Sequence, residues 1–203
     1  MTQFWAEFKK LGNNIFRFDT RIYLDPIDEI KDSDNCIGAI VGRNPGSAKA
    51  GIIGKGMQPI APDGDKLLPI VRNIVCQAFD MAEIKIPQRG YIQVLNLFYL
   101  CGPDLKEAIS DLEQNEYARN CLTEQKEFPW IWYVWGGESK SLNPYKARSL
   151  KLKSNQHFYL NQRIGKVMSE IPTNSSFAKH AQGLKRDLVI PYLSDILKRT
   201  ATL

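Results

Sequence analysis

Three polar turns, each following a short apolar run, hold the residues best suited to chemistry. The first is Gly42-Arg43-Asn44-Pro45-Gly46-Ser47. Glycines let a backbone come close to a ligand and proline stiffens the turn, so Asn44 becomes a fixed polar group at the end of its run. Read alone, the turn also fits an asparagine that bonds its own backbone. The second is Val94-Leu95-Asn96. An amide after a buried run presents one donor and one acceptor in a plane, which suits the edge of a flat base as well as the capping of a turn. The third, Trp135-Gly136-Gly137, reads by itself as a packing turn. A later segment, Phe177-Ala178-Lys179-His180-Ala181-Gln182-Gly183-Leu184, carries one of the two histidines ahead of a flexible glycine and an apolar side chain.

The elements that must position these residues follow from periodicity. The runs 36–41, 91–95 and 130–135 are short, nearly continuous in hydrophobicity and rich in β-branched or aromatic residues, as strands buried on both faces are. Leu67, Leu68, Val71, Ile74, Val75 and Ala78 form a helical stripe. More polar helical patterns cover 104–125, and a terminal helix is expected over 185–199. Phe4, Trp5, Phe8 and Leu11 also fall at helical spacing, residues 15–24 read as extended, and Asp25-Pro26 reads as a turn. Strand–helix alternation predicts an α/β fold, a three-layer α/β/α sandwich with a short central parallel sheet. It forms one domain over 1–203, with 1–34 as an extension and 35–203 as the core. Such sheets bind ligands at the carboxyl ends of their strands, which is where the polar turns lie.

In order and spacing the four segments resemble the uracil-DNA glycosylase superfamily. That family has Gly-x-Asp-Pro or Gly-x-Asn-Pro after its first strand, an asparagine ending the next, Trp-Gly ending a third, and a histidine loop. The resemblance implies a uracil-DNA glycosylase-like fold and a monofunctional DNA N-glycosylase. Such an enzyme flips a nucleotide from the helix and hydrolyses its glycosidic bond, leaving an abasic site without a cofactor or metal. It implies that Asn44 positions water and His180 donates to the departing base. Asn96 reads the base, in a pocket with Gly42, Arg43, Gly46 and Met57, the last standing in for an absent aromatic floor. Ser47, Lys49, Lys179, Gln182, Leu184 and Lys185 meet DNA, Leu184 as the wedge. The Asn-Pro-Gly form matches the mismatch-specific branch. Where the uracil-specific branch has a tyrosine, this chain has Gly46, so a wider pocket is expected, admitting 5-substituted cytosines such as those of phage DNA. The alternatives are a mismatch uracil or thymine glycosylase, and a non-catalytic nucleotide- or nucleic-acid-binding relative.

Bulk properties agree with these readings without selecting among them. The 203 residues carry a formal net charge of +5 and a pI of about 9.0, which suits a DNA partner. Arg43, Lys49, Lys55, Lys140, Lys146, Lys179 and Lys185 are the expected phosphate contacts. Cys36, Cys76, Cys101 and Cys121 lack the spacing of a zinc or iron–sulfur site and read as reduced thiols. The first ten residues are too polar for a signal peptide, and no apolar run approaches a membrane span. A monomeric, cytoplasmic protein is expected.

Overall fold

The computed structural model describes residues 1–46, 51–62, 64–102, 105–114, 120–137 and 140–201. The chain begins with two long strands, β1 (Thr2–Leu11) and β2 (Asn14–Ile27), followed by β3 (Asn35–Gly42), β4 (Met57–Pro59), α1 (Leu67–Ala82) and β5 (Gly90–Asn96). Then come α2 (Leu105–Gln114), β6 (Glu127–Phe128), β7 (Ile131–Tyr133), α3 (Asn143–Ser149), β8 (Lys153–Ser154), β9 (His157–Asn161), β10 (Lys166–Met168) and α4 (Arg186–Ala201). Eight of the strands form one sheet in the order β10-β9-β7-β3-β5-β2-β1-β4, and β6 pairs separately with β8. Its four middle strands, β9, β7, β3 and β5, run parallel, and the pairings outside them are antiparallel.

Continuous hydrophobicity in the middle strands follows from burial on both faces. Along β3, Ile40 joins one apolar cluster with α1 and α4, while Ala39 and Val41 join another with α2 and Tyr145 of α3. Trp132 of β7 faces the first cluster, Ile131 and Tyr133 the second. Each fully buried Ile, Val or Phe contributes about 1.5–3 kcal/mol relative to exposure, so this center needs no staple. All four cysteines are free thiols, and burial pushes Cys36, Cys76 and Cys101 away from ionisation, Cys101 to about 11.

The amino-terminal reading requires correction. Residues 4–11 are strand, not helix, and β1 and β2 belong to the sheet rather than to an extension. Leu11 pairs with Asn14 across the Gly12-Asn13 turn, and β2 pairs directly with β5. The helical spacing is coincidental: Phe4, Ala6 and Phe8 alternate onto the α1 side while Trp5 packs in a separate cluster. Glu7 pairs with Phe18 but Trp5 with Arg21, so one extra residue of β2 is accommodated at Asp19, whose φ is 40°. A bulge of this kind exchanges faces. Phe16 and Phe18 therefore join the α2 side while Ile22 and Leu24 join the α1 side. Asp25-Pro26 does not turn the chain, since β2 runs through to Ile27. The sheet is also wider and less parallel than expected, because antiparallel strands flank the parallel center on both sides. No helix among the described residues is long and apolar enough to cross a membrane.

Candidate functional site

Beyond the carboxyl end of β3 lies a cavity of about 450 Å³. The turn after β3 contributes Arg43, Asn44 and Gly46, the start of α1 contributes Gly64, Asp65, Lys66 and Leu67, and the loop after β10 contributes His180 and Gln182. Among the described residues no Phe, Tyr or Trp lines it.

Asn44 is fixed by its own amide. Its Nδ2 donates to the Gly102 carbonyl at 2.9 Å, which leaves Oδ1 as an acceptor for a small donor such as water. Arg43 donates through Nε to the Trp135 carbonyl at 3.2 Å, so the first and third polar turns are tied together. The third turn needs its glycine. Gly136 has a φ of 85°, and a Cβ there would stand 2.8 Å from Nη2 of Arg43 and 3.9 Å from Cβ of His180.

The loop carrying His180 is pinned next to that turn. Gly136 N–H donates to the Ala178 carbonyl at 2.8 Å, and Lys179 N–H to the Leu160 carbonyl at 2.9 Å. Burial first, and then the nearby charge of Arg43, hold the imidazole below its ordinary value; Asp65 opposes this and Lys179 adds a smaller push in the same direction as Arg43. The ring is therefore neutral at pH 7. Its Nδ1 accepts from Gln182 N–H at 3.2 Å, which assigns the proton to Nε2. His180 is accordingly a neutral donor rather than a cation.

Asn96 ends β5 opposite Gly42 of β3, and neither residue lines the cavity, contrary to the expectation that both meet the base there. Asn96 is 2 % exposed, and neither amide atom has a hydrogen-bond partner. A Cβ on Gly42 would lie 2.9 Å from its Oδ1 and 3.4 Å from Leu67 of the cavity wall. Leaving a buried amide unpaired costs about 1–3 kcal/mol per group, so this is a place where stability alone would favour another residue. Neighbouring strands lie about 4.8 Å apart and two residues span about 7 Å, so Asn44 and Asn96 are within about 12 Å between Cα atoms. From the other face Arg148 donates to the Asn96 and Leu97 carbonyls and pairs with Glu124, fixing the backbone here.

Sequence reasoning missed the carboxylate. Asp65 accepts from Nη1 and Nη2 of Arg17, both at 3.2 Å, through Oδ2. Its Oδ1 accepts from Leu67 N–H at 3.0 Å and Leu68 N–H at 3.5 Å, capping α1. An Asp just before a helical stripe is a legible start signal. Arg17 had none: between Phe16 and Phe18 it reads as a solvent-facing residue, yet it is 1 % exposed.

The remaining expectations divide. Met57 does not reach the cavity: it pairs with Glu7 on the edge strand β4 and packs with Trp5 and Tyr23. Gly46 does line it, and its φ of 57° favours a glycine whatever the ligand, although Glu83 and Arg89 adopt nearly the same φ elsewhere in the chain. Leu184 is half-buried against the α1–α4 cluster, less extended than a wedge. Lys185, Lys55 and Lys140 are exposed and Lys179 is half-buried. Lys146 is fully buried, donating to the Asn174 carbonyl and lying over Trp135, so it is not a phosphate contact. Ser47 and Lys49 lie outside the described residues. No family model, curated protein or solved structure matches the chain.

Proposed function

We propose that the chain is a monofunctional DNA N-glycosylase of the uracil-DNA glycosylase kind, with a three-layer α/β/α core, acting on a modified pyrimidine flipped from the duplex. The observation that carries the reading is the pairing, in one cavity at the strand ends, of a fixed acceptor, Asn44 Oδ1, with a neutral donor, His180 Nε2–H. Hydrolysis of a glycosidic bond needs both. The Asn44 amide holds a water by one O–H so that its oxygen attacks C1′. The bond from C1′ to the base nitrogen breaks, its electron pair leaves with the base, and the water's remaining proton passes to solvent. His180 donates to the base oxygen on which negative charge grows, which acts mainly in the transition state. The unpartnered Asn96 amide, buried beside Gly42 and Leu67, suits the edge of the flipped base. Arg43 and Lys66 on the cavity wall suit phosphates.

The size of the cavity and the absence of a side chain at Gly46 favour a 5-substituted pyrimidine over plain uracil. The test uses duplexes carrying uracil, mismatched thymine, 5-hydroxymethylcytosine or its glucosylated form, treated with alkali after incubation. Breaks at the 5-substituted bases, exceeding those at uracil, are expected. Asn44→Ala should lower base release about 10²–10³-fold with DNA affinity unchanged, since affinity rests on phosphate contacts. Equal loss of binding and release would make Asn44 a turn residue. Binding without release from any duplex would favour a non-catalytic binder.

A further inference from the structure

We propose that Asp65 supplies the negative charge of this site, its carboxylate facing the pentose cation that develops as the glycosidic bond breaks. The inference rests on the glycosylase reading and deepens it, because Asn44 can orient water but offers no charge to a cationic sugar.

Asp65 lines the same cavity as Asn44 and His180, and a Cβ on Gly46 would lie 3.6 Å from its Oδ2. Among the described residues it is the one carboxylate on that wall, where Arg43 and Lys66 otherwise set the charge. Without it, a cation forming in the cavity would meet only like charge. The group cannot swing away. Both oxygens are held, one by two guanidinium nitrogens and the other by the amides that open α1.

The direction of the ion pair matters as much as its presence. Arg17 is 1 % exposed and does not line the cavity, whereas Asp65 does. The buried pair is therefore a dipole with its negative end at the cavity and its positive end behind it. A fixed dipole needs no reorganisation when charge develops, which is the condition for effective electrostatic catalysis. Stability does not account for the arrangement. Replacing a buried ion pair by apolar side chains is often neutral or stabilising, and Ser or Asn would cap the helix as well.

The bulge at Asp19 belongs to this account. It places Phe16 and Phe18 toward α2 and leaves Arg17, between them, on the α1 face, where Asp65 lies.

The test is binding, so it does not depend on knowing the target base. Two duplexes carry an abasic-site analogue, one a cationic pyrrolidine and the other a neutral tetrahydrofuran. The wild-type protein should bind both more tightly than unmodified duplex, and the pyrrolidine at least about tenfold more tightly than the tetrahydrofuran. Asp65→Asn keeps the shape and the helix cap and should bring that ratio to about one while leaving tetrahydrofuran binding within about twofold. Because Asp65→Asn leaves Arg17 buried without its partner, the double variant Arg17→Met/Asp65→Asn is measured beside it, and the same collapse is expected. Adding Asn44→Asp to that double variant should restore preference for the cation, which repair of a merely structural lesion would not do. A ratio that survives in the double variant, or a wild-type protein that binds both analogues alike, overturns the role of Asp65 alone. A wild-type protein that prefers neither analogue to unmodified duplex overturns the glycosylase reading with it.

Discussion

The two ends of the parallel sheet hold cavities of similar size, one mainly polar and one mainly apolar. At the carboxyl ends, about 450 Å³ is bounded by Arg43, Asn44, Asp65 and His180. At the amino ends, about 390 Å³ is bounded mainly by apolar residues such as Cys36, Ile37, Phe79, Ile84 and Pro87, with Asn35, Asn155, Gln156, Arg199 and Thr200 also on the wall. The histidines show the same contrast. His157, at the start of β9, meets the Tyr133 hydroxyl through Nδ1 and the Ser154 carbonyl through Nε2, so both nitrogens are occupied. His180 has one nitrogen held by the backbone and the other left for a ligand. A void is therefore no sign of function by itself; what separates the ends is whether polar groups are held in place and left incomplete.

The largest way to break this comparison is to remove the charge behind the polar end. Arg17→Met leaves Asp65 without its partner and should cost about 3–5 kcal/mol, read as a lowered urea midpoint. An unchanged midpoint would mean that the pair is solvated and the polar end less rigid than its bonds imply.

Acidification sharpens the contrast between the histidines. Both are held below the ordinary value of 6.5, mainly by burial. The unfolded chain thus binds more protons than the folded one as pH falls through that value, so stability present above about 6.5 is lost progressively below it. At the cavity the effect is also chemical. Protonating His180 places a hydrogen on Nδ1, where Gln182 N–H now donates, and it adds a cation beside Arg43. Base release should stay level as pH falls to 6.5 and decline only below the depressed value, about tenfold per pH unit once His180 is mostly charged. A decline centered at or above 6.5 would contradict a neutral donor.

The smallest effect is expected at the apolar end. Asn155 is exposed there, and Asn155→Ala should change stability by less than about 0.5 kcal/mol and leave DNA affinity unchanged. A weakened affinity in a salt titration would show that the amino ends also meet the ligand, and the contrast would fail.

Three of the four parallel strands, β3, β5 and β7, and α1 were legible because burial on both faces and a 3.6-residue stripe leave clear patterns. β9 was not, since its five residues, His157 to Asn161, begin and end polar. β1 was not either, because Phe4, Trp5, Phe8 and Leu11 mimic helical spacing, though the Gly12-Asn13 pair is a hairpin signal; β2 was legible as an extended run over 15–24, but its place in the sheet was not. Of the site, Asn44, Arg43 and His180 could be named because each follows a turn with its own sequence mark. Arg17 could not, because its role depends on a face exchange that period-two reasoning misses. Gly46 was legible as a glycine, but its positive φ, which by itself favours one, was not.

Ala178 is bridged on both sides, to Gly136 and to Asn161, without belonging to a strand. In terms of folding order this makes the loop carrying His180 a late arrival. The β1–β2 hairpin closes over a few residues, whereas β3, β5, β7 and β9 must meet across intervals of tens of residues, and such pairings form slowly. Ala178 can dock only after β9 has joined β7 and the Trp135-Gly136 turn is in place. The cavity wall around Asn44 can thus be complete while its donor is still missing. Held by isolated bridges, this loop is expected to open locally, and hydrogen exchange should show the amides of Gly136 and Lys179 exchanging faster than those of β3 and β5.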